Sequence, residues 1–216
     1  MATPYLERMP LPRRAAATVA AGVLLLAAGC TGGDDEPAPE AEPSTPSTPL
    51  ESYAADTVVL QRAPFCERIP ASAVEEALDG EATKGSAYDN GERARISEDV
   101  RDVAHEYGCD FAGEDGTIAR AWLFAPPVTP QRARQLGKLA RADQGCTPEP
   151  EAPGFGQHSV ALVCESDSAV TASYRGLFGD AWLSCEVSVP AGDVERRALV
   201  DRAGRWCVQA AEAARA

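Results

Sequence analysis

The sequence predicts an α+β fold: a mainly antiparallel sheet of about five strands, packed with two or three helices and braced by disulfides. Three observations predict it. Candidate elements run helix, strand pair, helix, strand triplet, helix, and not in the strict β-α alternation of a parallel sheet. The links between neighbouring strands are short, which hairpins allow and parallel crossovers do not. Of the 7 cysteines, an even set remains once Cys30, at the end of the N-terminal apolar run, is set aside.

The elements are justified in order. Pro70 opens a short helix over 70–78, where Ser72 and Glu75 have the spacing of a capping box and Gly80 supplies a stop. Residues 79–98 are polar and glycine-containing and read as a long loop. Segments 107–112 and 117–125 read as strands around the turn Gly113-Glu114-Asp115-Gly116, and Pro126-Pro127 ends the second. Thr129 caps a helix over 129–143, with Pro130 in its first turn and Gly145 beyond its end. Three more strands are expected at 159–164, 169–174 and 181–189. A long helix covers 193–214, because Leu199, Ala203, Trp206, Ala210 and Ala213 recur every three or four residues along one face. Trp122, Trp182 and Trp206 are expected in the core, with Trp182 and Trp206 brought together by the last strand and helix.

The chain of 216 residues carries 33 acidic against 20 basic side chains, a net charge of −13. That balance argues against nucleic acid, or an anionic bilayer bound over a broad surface, since both require basic patches. At the front, Arg8, Arg13 and Arg14 precede an apolar run over 15–28 that ends in small residues, the form of a secretory signal. Fourteen helical residues span about 21 Å, short of the ~30 Å hydrocarbon core. Leu26-Ala27-Ala28-Gly29-Cys30 resembles a bacterial lipobox. The resemblance implies that 1–29 is removed, that Cys30 receives fatty acyl chains such as palmitate, and that these chains hold the protein to the outer face of the cell membrane. Residues 30–56, with Pro37, Pro39, Pro43, Pro46 and Pro49 among Ser, Thr, Asp and Glu, read as a disordered acidic tether. Fully extended it would reach on the order of 80 Å. Residues 57–216 are left as one disulfide-bonded domain.

An exported chain with Cys66, Cys109, Cys146, Cys164, Cys185 and Cys207 forms disulfides by default, though the count alone leaves the pairing open. The element order favours Cys66–Cys109, joining the segment before the first helix to the first strand. It favours Cys146–Cys164, pinning the end of the second helix to the next strand, and Cys185–Cys207, tying the last strand to the last helix. No C-x2-C pair is present, so neither a zinc module nor a dithiol redox motif is indicated.

The search for chemistry selects little. His158 and Ser159 are adjacent, and on one strand they would point to opposite faces. Gly154-x-Gly156 is too short for a dinucleotide fingerprint, and Asp99, Asp102, Glu114 and Asp115 lack calcium-loop spacing. No pair among the carboxylates is singled out for glycoside chemistry. The most distinctive run is Arg175-Gly176-Leu177-Phe178-Gly179-Asp180-Ala181-Trp182. Leu177 and Phe178 would lie at a loop tip between strands and are the candidate binding residues; packing back into the core is the competing reading.

An early cysteine before a short helix (Cys66, then 70–78), a second in a strand (Cys109-Asp110-Phe111), the lipobox and the acidic linker together resemble the cysteine-paired extracellular lipoproteins of actinobacteria, many of them domains of unknown function. The resemblance implies no catalytic residue. The expected function is therefore that of a membrane-anchored, non-enzymatic binding or accessory domain of the cell envelope, without cofactor or metal. Its partners would be the bilayer, through the acyl chains on Cys30, and an envelope protein or small ligand. The alternatives are an envelope hydrolase and a structural or regulatory accessory to a membrane complex.

Overall fold

In Ile118-Ala119-Arg120-Ala121-Trp122-Leu123-Phe124, buried Ala119, Ala121 and Leu123 alternate with half-buried neighbours, which gives the central strand one buried and one mixed face, and the architecture follows from that division. The computed structural model describes residues 47–95, 100–192 and 194–216. The expected signal segment 1–29, the lipidation residue Cys30 and tether residues 31–46 lie outside the described residues. The described elements, in order, are α1 (Ala71–Leu78), β1 (Ala82–Tyr88), β2 (Arg93–Arg95), β3 (Arg101–Val103), β4 (Glu106–Gly113), β5 (Ile118–Phe124), α2 (Pro130–Ala140), β6 (Cys146–Pro148), β7 (Gln157–Glu165), β8 (Ala169–Phe178), β9 (Ala181–Pro190) and α3 (Arg196–Ala214).

Seven strands form one antiparallel sheet in the order β1-β4-β5-β9-β8-β7-β6, and β2 pairs with β3 as a separate ribbon. The α+β class is as expected, but the sheet is larger. Residues 79–98 contain β1 and β2 where a loop was expected. β1 is an edge strand exposed at every position except Tyr88, so it carries no alternation to betray it.

The odd-numbered residues of β5 and β9 face α3 and α1. Ala119, Ala121, Leu123, Leu183, Cys185 and Val187 are at most 1% exposed there. Trp206 of α3 packs edge-on against Phe111, and its indole N–H donates to the carbonyl of Arg120 at 2.7 Å, so its one polar atom is satisfied in the core. α2 lies over the opposite face, against β7 and β8, where Val128, Ala133, Leu177 and Trp182 make a second, smaller cluster. Trp182 and Trp206 therefore do not meet. Trp182 is three residues from Cys185, and period two sets them on opposite faces. Trp122, also expected in the core, is half-buried on that second face.

Thr129 caps α2 as expected, its hydroxyl accepting from Arg132 N–H at 3.2 Å, but the Ser72–Glu75 box does not form. Pro70 is the cap residue of α1, which puts Ser72 inside the helix, and Asp79, not Gly80, takes the left-handed conformation that ends it. Residues 47–56 also differ from the expected tether. Ser47 N–H donates to Glu76 at 3.0 Å, and Leu50, 5% exposed, fills the space left by the missing side chain of Gly204 on α3. Leu50 supplies the apolar anchor that a Pro/Ser/Thr tract otherwise lacks. Further along, Leu60 bridges to Arg215, which ties the start of the domain to its end.

Three disulfides brace this frame. Cys66–Cys109 joins the turn before α1 to β4, Cys146–Cys164 crosses the directly paired β6 and β7, and Cys185–Cys207 joins β9 to α3, with Cα separations of 5.6, 3.9 and 5.5 Å.

Candidate functional site

Leu177 and Phe178 present no apolar tip. β8 stays paired with β9 up to Phe178 and Ala181, and the hairpin is closed by Gly179-Asp180 alone, with Gly179 at φ +68°. The two side chains therefore point to opposite faces, each 1% exposed: Leu177 into the α2 cluster, Phe178 against the ring of Phe155. Gly176 is required here because a Cβ would lie 1.6 Å from the carbonyl oxygen of Phe155.

The other sequence candidates have local structural roles or none. Ser159 sits in an irregularity of β7, its hydroxyl accepting from Phe155 N–H at 2.8 Å, and His158 beside it has φ +54°. His105 is exposed. Asp115 binds the N–H and hydroxyl of Thr117 at 2.9 and 2.7 Å, and these bonds hold its carboxyl below the ordinary value; it is a turn residue.

What the structure does bring together lies on the half of the second face that α2 leaves uncovered. The register aligns one cross-strand row over five strands: Ser86 (β1), Asp110 (β4), Arg120 (β5), Glu186 (β9) and Ser173 (β8). Arg120 is central. Its Nε donates to Asp110, and its Nη1 lies 3.9 Å from Glu186. The next row runs Tyr88, Gly108, Trp122, Ser184, Arg175. The ring of Tyr88 lies over Gly108, where any Cβ would meet it within 2.1 Å, and its hydroxyl donates to Glu106 at 2.8 Å. Phe124 pairs with Glu106 one row further on. Tyr88, Glu106, Asp110, Arg120, Trp122, Phe124 and Glu186, with Arg95 of β2, line a cavity of about 200 Å³.

The electrostatics of the cavity are set by burial. Burial pushes the Glu186 carboxyl up, with Arg120 and Arg175 pulling it back and Asp110 adding repulsion. Burial likewise raises Glu106, against the hydrogen bond from Tyr88, while the charge of Asp110 raises it further and His105 lowers it. Tyr88 is pushed well above the ordinary phenol range by burial and by its bond to Glu106. At the α2 side of the rows, Ser173 Oγ and Arg175 Nε are buried without a hydrogen-bond partner among the described residues. Such orphaned atoms cost about 1–3 kcal/mol each.

Arg120 pairs with both Asp110 and Glu186, so those two carboxylates are held as ion-pair partners, unlike an acid and a free base flanking a scissile bond. No group of three or more metal-ligating side chains occurs among the described residues. Sequence reasoning missed Glu106, Asp110, Arg120, Trp122 and Glu186. All five stand at even-numbered positions of β4, β5 or β9, interspersed with Gly, Ala, Ile and Ser, and strand register is needed to see that they converge.

No protein-family model matches the chain, and no curated protein matches it. Among the described residues, no helix is long and apolar enough to cross a membrane.

Proposed function

We propose that this chain is an exported, lipid-anchored, non-enzymatic binding domain of the cell envelope, and that its ligand or partner docks on the open half of the sheet. The observation that carries the proposal is the polar cavity over the Asp110–Arg120–Glu186 row, with Trp122 in its wall and buried polar atoms left unpartnered beside it. Rigid aromatic surface with a few fixed polar groups is the composition of ligand sites. Three disulfides support residence in an oxidising exterior. Anchorage rests on the lipobox-like run ending at Cys30 and on the resemblance to actinobacterial lipoproteins.

Two measurements test the reading. A photo-crosslinking residue in place of Trp122, in intact cells, should give a discrete adduct that the same probe at the exposed Leu139 on α2 does not give. Cys30→Ser should move the chain from the membrane fraction to the soluble envelope fraction. Loss of the first result overturns the docking face; loss of the second overturns the anchor.

A further inference from the structure

The open face has a composition that selects among ligand chemistries, and any ligand class assigned to it rests on the binding-domain reading above. The charged groups facing the cavity can be named among the described residues. Glu106 and Asp110 come from β4 and Glu186 from β9; Arg95 comes from β2 and Arg120 from β5, while Arg175 of β8, beside the cavity, acts on Glu186 and His105 acts on Glu106. Three carboxylates thus face two guanidiniums in the lining and a third beside it. A site so nearly balanced has little net charge with which to concentrate a small anion or cation. What it offers is alternation of acceptor, donor, acceptor along Asp110, Arg120 and Glu186.

A ligand matching such a row must both donate to carboxylates and accept from guanidiniums at neighbouring positions. Vicinal hydroxyl groups do this, because each is donor and acceptor at once. The same ligand must tolerate the flat, half-buried indole of Trp122 and the ring of Phe124 in the adjoining rows, which asks for a ring with an apolar face. The cavity of about 200 Å³ lies below the ~300 Å³ at which sites for drug-sized ligands begin, which suits a single ring.

We propose that the open-face cavity binds a neutral saccharide unit, with one sugar ring against Trp122 and its vicinal hydroxyls on the Asp110–Arg120–Glu186 row. The charged residues serve as fixed hydrogen-bonding groups, oriented by one another through Arg120, so the ligand need not order them.

The test uses the full-length chain with its disulfides intact. Trp182 and Trp206 are buried, so the fluorescence difference between the native chain and Trp122→Phe isolates the cavity indole. The chain is titrated with the common neutral aldohexoses and aldopentoses, and separately with tetramethylammonium and with inorganic phosphate. The proposal expects a saturable response to at least one neutral sugar, confirmed calorimetrically. It expects the affinity to weaken by about tenfold or more in the near-isosteric variants Asp110→Asn and Glu186→Gln, the loss typical of one charged hydrogen bond. A thermal midpoint that does not fall in those variants separates lost binding from lost fold. A response confined to tetramethylammonium or phosphate overturns the saccharide assignment and leaves the face a binding site. Sugar binding unaltered in both variants overturns the location. Silence toward every probe overturns the saccharide assignment, and the crosslinking experiment at Trp122 then decides the binding-domain reading independently.

Discussion

Replacing Cys185 and Cys207 together by alanine should destabilise the domain more than replacing Cys146 and Cys164, although chain entropy alone makes the two nearly equal. Sequence separations of 22 and 18 residues correspond to about 3.4 and about 3.2 kcal/mol of loop-closure entropy at 25 °C. Their surroundings differ. Cys185 and Cys207 are both 0% exposed, in the main core between β9 and α3. Removing two packed sulfurs there leaves a void that adds about 1–3 kcal/mol. Cys146 and Cys164 are half-buried and join the short edge strand β6 to β7, where solvent fills the space. The inner pair should therefore cost about 4–6 kcal/mol and the outer pair about 3 kcal/mol or less. Against a total of about 5–15 kcal/mol, the first loss threatens folding at 37 °C and the second does not. Guanidinium unfolding followed by far-UV dichroism measures both, with a steeper denaturant slope expected where the released unfolded chain expands. An equal or larger loss for the outer pair would refute the cavity argument.

Packing and electrostatics set three further outcomes. Leu177→Ala and Phe178→Ala should each cost about 2–5 kcal/mol, because both side chains are 1% exposed; a loss under about 1 kcal/mol in thermal unfolding would return them to the surface. Gly176→Ala should cost at least the ~3 kcal/mol of severe overpacking, since its Cβ would enter the Phe155 carbonyl, while Gly80→Ala, with open space around it, serves as the control in the same scan. Burial raises Glu186 above the ordinary glutamate value of 4.5, so its ionisation opposes folding, and that penalty sets in as pH rises through the unfolded value towards the folded one. Glu76 is opposite in sign: burial raises it, but the hydrogen bonds from Ser47 and the Arg205 pair together outweigh burial and hold it low, so its contribution is present above the unfolded value and lost on acidification. Glu186→Gln should thus stabilise at neutral pH and Glu76→Gln destabilise, both effects fading in acid; pH-dependent urea midpoints of the same sign would contradict this.

Which elements could be read from the residues follows from how much each buries. β5 alternates because one face meets α1 and α3, and α3 shows its stripe for the same reason, whereas β8 and β9 bury residues on both faces and read as largely apolar runs. β1 (Ala-Thr-Lys-Gly-Ser-Ala-Tyr) lies at an edge with both faces in solvent, and β6 is three residues held by its disulfide and pairing, so neither leaves a periodic trace. Leu50 was hidden by its setting: one apolar residue after a proline tract reveals its role only where Gly204 makes room for it. The opposite facing of Trp182 and Cys185 was available from their odd spacing, whereas the approach of Asp110 to Glu186 through Arg120 depends on two strand registers that no local pattern encodes.

The placement of the cystines bears on why the open face can hold poorly satisfied charge at all. Cys109 precedes Asp110 and Cys185 precedes Glu186, so each carboxylate of the row follows a half-cystine on the opposite side of the sheet. The row directly behind it runs Ala87, Cys109, Ala121, Cys185, Tyr174, and its two bridges tie β4 to the turn before α1 and β9 to α3. Strands carrying Glu106 and Glu186, whose carboxyls burial pushes up, and orphaned donors would gain from shifting register or tilting side chains to water. Covalent anchors one residue away oppose that relaxation without occupying the face itself. The bridges that stabilise the core thereby also preorganise the Asp110–Arg120–Glu186 row, and loss of the Cys185–Cys207 bridge should loosen Glu186 even under conditions where the sheet remains folded.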